Sequence, residues 1–366
     1  MWALAFASVW YAPLPTASWW LRFAHFTLAT CTYDTMLTLV EVNHSALLAE
    51  LSVDDAERAS FNGYAAVFAG AGSLTSFAGH VFWDSANPRA FQLCCAVIAL
   101  LCGVVFALCA ETLRLVPVKA TAPSPHALAA SLQPGPVIAF LRELMQHGNF
   151  WVFAGVATVQ SFDCAFEKTS FASALDPSLS KATRGALVSA SFLLPWVGTL
   201  LVTPVIQRRG IYSVFRAVLA LRLALCCAFV LARPALGAHA LAGFLLANRV
   251  ASETVCRISP LVLSDIVDED RVLHKRGDDT PRAGSVIGAA HFISKFGSSA
   301  GPMLGFVLLS RTHDAAHHVM LGAVPLACVA AQSWAWARRF TLRGAYLARV
   351  KDGVAAGRQA SAARAV

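Results

Sequence analysis

Nine predominantly apolar runs recur along the chain, at roughly 18–41, 63–83, 91–115, 150–170, 185–206, 212–232, 241–266, 284–309 and 319–337. Each is long enough to cross about 30 Å of hydrocarbon as a helix. A tenth run, Met1 to Ala12, is shorter and ends at Pro13 and Pro15. Its length suits a secretory signal core, but no basic segment precedes it and no small-residue cleavage site follows, so it reads as part of a further helix. Composition agrees: 57% of the 366 residues are hydrophobic and 14% charged, whereas soluble domains run about 45–50% apolar and about 25% charged. These features predict an all-α polytopic membrane protein with about ten transmembrane helices.

The formal charge of +8 invites a nucleic-acid reading, but the location of the surplus excludes it. Counted in alternate loops, eighteen Lys and Arg side chains fall on one side and seven on the other. By the positive-inside rule the C-terminal tail is cytoplasmic, and with ten spans so is Met1. The expected setting is a multi-pass monomer of the plasma membrane whose partners are the lipid bilayer and a small solute.

Between Leu115 and Asn149 lies VPVKATAPSPHALAASLQPGP, followed by the amphipathic VIAFLRELMQH. Proline at that density stops a helix. The chain therefore divides into an N-terminal half at 1–115, a cytoplasmic linker at 116–149, a six-helix half at 150–338 and a basic tail at 339–366. The halves rhyme: Glu41 to Tyr64 and Asp265 to Gly288 each run from an acid at a helix end through an acidic cluster and an arginine to a Gly-bearing span. Matching units in two halves are the mark of repeat-built transporters, whose substrate path lies between the repeats.

Ionisable residues within apolar segments are the candidate functional groups, because hydrocarbon tolerates them only where they face protein or water. Arg249, Glu253 and Arg257 recur every four residues and share a helix face; they either fix helix register or line a pathway. Asp34 and Glu41, seven apart, share another face. They either bind Na⁺ or a proton or lie solvated at the rim. Lys295 has no acid in its own span, so a carboxylate from another helix is the expected partner. Asp163 and Glu167 lie one turn apart, Arg222 sits mid-span, and these three can line one cavity, or Glu167 beside Lys168 marks the outer interface.

Other features have structural readings. The ten cysteines fall within apolar segments without metal-ligand spacing and read as small hydrophobes. Two glycine series, Gly63, Gly70, Gly72, Gly79 and Gly284, Gly288, Gly297, Gly301, suit close helix packing. Tryptophans near span ends suit an interfacial belt. The sequence has no phosphate-cradling glycine loop, HExxH or GxSxG, so an enzyme is not expected. No cofactor is expected beyond a coupling ion.

The segments TYDTMLTLVEVNHSALLAELSVDDAER, GSLTSFAGHVFW, ANRVASETVCRISPLVLSDIVDED and the lysine helix around Lys295 resemble the glycoside-pentoside-hexuronide:cation symporter group of the major facilitator superfamily. The resemblance covers nearly the whole chain and implies a twelve-helix fold, of which the first two helices would precede Met1. It implies that Glu41 stands at a cation-binding acid and Lys295 at a coupling lysine. Asp265, Asp268 and Asp270, with Glu269 between them, would form an acidic conformational element. Two departures weigh against a sugar substrate: Ala66 replaces an arginine, and Ser45 replaces a sugar-stacking tryptophan. The expected function is cation-coupled symport of a small polar solute by alternating access; a non-transporting scaffold or receptor is the alternative, and lipid movement between the halves a third reading.

Overall fold

The computed structural model describes residues 1–11, 17–75, 82, 87–115, 134–175, 179–232, 237–276, 282–311 and 314–364. They form twelve helices: α1 (Trp2–Trp10), α2 (Trp19–Leu51), α3 (Asp55–Ser73), α4 (Arg89–Leu115), α5 (Pro134–Gln146), α6 (Gly148–Ala174), α7 (Lys181–Arg209), α8 (Ile211–Ala232), α9 (Ala238–Leu273), α10 (Ala283–Arg311), α11 (Asp314–Arg338) and α12 (Ala345–Arg364). No strand occurs among the described residues. Among the described residues the nine apolar runs fall on helices; the run at 63–83 is described as helix α3 only as far as Ser73. The proline-rich part of the expected linker, most of GSLTSFAGHVFW and Gly79 lie outside the described residues, whereas the amphipathic end of the linker is α5.

Three described helices are long and apolar enough to cross a membrane: Arg89–Thr112, Ala182–Arg209 and Ile211–Ala232. The other long helices interrupt their apolar stretches with polar or ionised residues, as α6 does with Asp163, Glu167 and Lys168. Length and apolarity alone thus account for three of the roughly ten expected spans.

Packing divides the chain into two compact units: Met1–Glu41 with Thr75–Gln146, and Val42–Leu74 with His147–Val366. In the first, aromatic rings join α1 to α2 and α4. Trp10 meets Phe91 edge-on at 5.0 Å, Trp2 meets Phe106 at 5.5 Å and lies over Tyr33 at 6.1 Å. Around the end of α1, the Gln92 amide donates to the Trp10 carbonyl at 3.0 Å and Tyr11 donates to the Gln92 carbonyl at 3.1 Å.

In the second unit α6 is the axis on which the site is built. Helix α10 crosses it at Gly297 and Gly301, where a Cβ would overlap the Thr158 and Phe162 carbonyls. Only glycine lets the backbones approach this closely. Gly63 and Gly70 seat α3 on α7 against Thr203 and Trp196, each at 3.2 Å from a Cβ position. Gly284 and Gly72 face open space, so the small-residue reading holds for part of each series. Local signals set the helix starts. Asp54 caps α3 by accepting from the Ala56 N–H at 3.3 Å, with Asp55 and Glu57 in the first turn, where carboxylates complement the helix dipole. His147 Nδ1 accepts from the Phe150 N–H at 3.1 Å and caps α6.

Candidate functional site

Helices α6, α8 and α9 bring Asp163, Glu167, Arg222 and Asn248 into one buried cluster. Arg222 and Asp163 are both 0% exposed. The Arg222 Nη2 group pairs with Asp163 Oδ2 and with Glu167 Oε1 at 2.9 Å. Its Nε donates to Asn248 Oδ1 at 3.1 Å, and the Asn248 amide donates in turn to Glu167 Oε1 at 2.6 Å. One guanidinium thus serves two carboxylates, leaving the cluster a formal negative charge. Asp163 Oδ1 and Glu167 Oε2 are buried without a hydrogen-bond partner. Such atoms in a low-dielectric interior are destabilising unless a proton or ion joins them.

Polar contacts extend this cluster along α6. Gln160 donates to Ser252 Oγ at 3.0 Å and accepts from Gln332 at 2.7 Å. Cys164 lies between Ser252 Oγ at 3.4 Å and Cys256 Sγ at 2.8 Å. The sequence offered a signal for these residues: Gln160, Asp163 and Glu167 fall at i, i+3 and i+7, while Asn248, Ser252 and Cys256 repeat every four. Only the acids and Arg222 stood out as candidates, because amides and hydroxyls are common in apolar helices.

Of the Arg249, Glu253, Arg257 face, two members pair as the spacing predicts: Arg257 Nη2 meets Glu253 Oε2 at 3.1 Å. Glu253 also meets the exposed Lys168 of α6 at 3.0 Å, an ion pair between α6 and α9. Arg249 turns away, donating to the Ser191 carbonyl at 3.2 Å and lying 5.3 Å from the Phe192 ring centre. Arg257 sits 3.8 Å over Trp196, a cation–π contact.

The acids at the end of α9 gather side chains from α3, α6 with its cap, α8 and α12. Arg58 of α3 pairs with Asp265 at 3.0 Å and Asp268 at 2.8 Å, while its Nε donates to the Ser52 carbonyl at 2.8 Å. Tyr212 of α8 donates to Asp265 at 2.8 Å, and Lys351 of α12 approaches the same carboxyl at 3.3 Å and pairs with Asp55. Glu269 accepts from Asn149 at 2.7 Å and from Tyr346 at 2.7 Å, and His147 Nε2 stands 3.3 Å away. Because His147 Nδ1 accepts a bond as the α6 cap, its ring proton sits on Nε2, facing Glu269. Asp270 pairs with His274 at 3.2 Å and with Arg276. Asp268 lies beyond the apolar run that ends near 266. Burial lifts its carboxyl above the ordinary range, with Arg58 pulling the other way. Burial, then the bond to Glu269, pushes the Tyr346 phenol up to about 12. From the sequence, Arg58, Lys351 and Tyr346 were only loop or tail residues; their partners lie far along the chain, 77 positions away for Tyr346 and 207 for Arg58.

Asp34 and Glu41 are exposed on α2. Lys295 is half-buried on α10, two residues before the Gly297 crossing.

Long apolar helices enclosing ionised side chains define a polytopic helical membrane protein. Residues 1–315 match the family described as MFS/sugar transport protein, and the chain belongs to that family of transporters. It is 32% identical over 327 residues to Transmembrane protein 180 of Mus musculus, an alignment covering 82% of this chain and 62% of that protein. It is 30% identical over 319 residues to Transmembrane protein 180 of Gallus gallus, covering 80% and 61%. The chain thus spans less than two thirds of the length of these curated relatives.

Proposed function

We propose that the chain is a secondary active transporter coupling Na⁺ or H⁺ to symport of a small polar solute by alternating access. The reading takes ten helices of a twelve-helix family pattern, divided at the 116–149 linker, with the basic tail in the cytoplasm and the protein a monomer of the plasma membrane. The observation that carries it is the joint burial of Asp163, Glu167 and Arg222 among apolar helices. Ionisable groups in a membrane interior accumulate on ion and substrate pathways. In this reading Glu41, with Asp34 as helper, takes the coupling cation. Lys295, Arg249, Glu253, Arg257, Asp163 and Arg222 serve the solute path and its coupling. The acids Asp265, Asp268, Glu269 and Asp270 hold one conformation, the first two through Arg58, Glu269 through Asn149 and Tyr346, and Asp270 through His274 and Arg276.

The test is uptake of labelled sugars, amino acids and nucleosides into proteoliposomes under imposed Na⁺ or H⁺ gradients. Gradient-driven uptake lost in Glu41→Gln or Lys295→Ala is the expected result. Uptake unchanged by Glu41→Gln removes the cation assignment; no uptake of any solute by folded, oriented protein removes the symporter.

One observation favours a non-transporting scaffold or receptor instead. Ser45 and Ala66, at the positions where sugar symporters bear their tryptophan and arginine, are packed away at 5% and 1% exposure. Both therefore lack the side chain and the exposure to meet a solute.

A further inference from the structure

Helices α7 and α8 are joined by a single residue, Gly210, and both are long and apolar enough to cross a membrane. Their turn therefore lies at a membrane edge, and Arg208, Arg209 and Arg216 place it on the basic, cytoplasmic side. Beside the turn is a cavity of about 470 Å³, lined by Arg209, Arg216, Arg343, Lys351, Tyr212 and Trp336. Asp55 is the one acid on its wall, and it is already paired with Lys351. Among the described residues no carboxylate lies within ion-pair distance of Arg209, Arg216 or Arg343.

Two helices begin at this cavity, α8 after Gly210 and α12 after Gly344, with the glycines at φ 77° and 59°. Neither glycine has a side-chain oxygen to cap the helix that follows, so the first N–H groups are left for an external acceptor, and the helix dipoles favour an anion there. The aromatic wall is rigid: Trp336 stacks on Phe215 and on Phe340, each at 4.3 Å. Planar guanidinium groups match phosphate oxygens geometrically, and a basic patch at the cytoplasmic leaflet meets anionic headgroups. The volume exceeds what one phosphate needs and admits a polyol carrying several.

We propose that this cavity binds a phosphorylated polyol, supplied either as the headgroup of an inner-leaflet lipid or as a soluble polyphosphate. An anion held by Arg209, Arg216 and Arg343 competes with Asp55 for Lys351. Binding therefore loosens the hold of α12 on the Asp265 cluster, which makes the site regulatory as well as adhesive.

The full chain in nanodiscs tests this through the shift of its thermal unfolding midpoint. Three arms are compared: phosphatidylcholine discs with added inositol hexakisphosphate, discs containing phosphatidylinositol 4,5-bisphosphate, and discs containing phosphatidylserine at matched charge. Saturable stabilisation by either inositol probe, and not by phosphatidylserine, is expected; the arm that responds identifies the soluble or the lipid source. Because they are exposed, Arg209→Ala and Arg343→Ala leave the fold intact and each weaken the response roughly tenfold. The pair Arg338→Ala with Arg339→Ala, exposed but outside the cavity, leaves it unchanged. Equal losses in both sets of variants, a response to phosphatidylserine as large as to the inositol lipid, or no shift with any probe overturns the proposal.

Discussion

Arg222 sits among apolar residues with no exposed surface, and its ion partners are two acids one turn apart on α6. Removing one member of a buried charged set leaves the rest uncompensated, which costs about 3–5 kcal/mol. Arg222→Met is therefore expected to destabilise the protein by that amount, measured by denaturant unfolding in detergent. Adding Asp163→Asn and Glu167→Gln to it should recover most of the loss, because the remaining groups are then neutral. If the triple variant is as unstable as Arg222→Met, the charges do not act as a unit. Asp268 gives a second residue-scale outcome. Its folded pKa lies above the unfolded value, so ionising it withdraws stability as pH rises from the ordinary carboxylate range through the raised value. Asp268→Asn should flatten that part of the pH–stability curve relative to the parent. Asp163, Glu167 and Arg222 were legible in the sequence because charges in apolar runs are rare. Asn248 and Gln160 were not, since an amide becomes informative only when its partner is known.

At the scale of helices, the period and length of the apolar runs carried most of the information. The described residues of the nine runs lie on helices. What they could not show was which glycines lie at a crossing. Gly297 sits where α10 meets the α6 backbone, whereas Gly284 faces open space, although both belong to one series. Gly297→Val should overpack that crossing and destabilise by about 3 kcal/mol or more, whereas Gly284→Ala should be neutral or slightly stabilising through its better helix propensity. Comparable losses at both positions, in midpoint or expression yield, would mean that helix propensity rather than contact governs α10. The tail shows the opposite failure of reading. Its basic composition masked Leu347, Val350 and Val354, which fall at i, i+3 and i+7 and are buried. Within the basic tail lies a docked helix, α12.

At the scale of the molecule, the end of α9 is where distant parts of the sequence meet. Arg58 and Lys351 stand on different helices, yet both reach Asp265, and Arg358 of α12 donates to the Glu50 carbonyl at 3.0 Å. Such long-range pairs cannot be read from spacing, because no local period links residues so far apart in the chain. The arrangement ties the first turn of α3 and the tail helix to one acidic run. A conformational change that separates α3 from α9 must break two buried ion pairs of Arg58 at once, and such an element is discrete rather than gradual. Arg58→Gln should therefore act on this whole region and not only on its own helix. Amide hydrogen exchange should speed up across 46–58 and across α12, while α6 near Asp163 stays protected. Combining Arg58→Gln with Asp268→Asn should give less than the sum of the single effects, because each single change already breaks the shared pair. Additive effects, or exchange confined to the first turn of α3, would show that Arg58 merely caps its own helix. In that case the acidic run would stabilise α12 through Lys351 and Tyr346 alone.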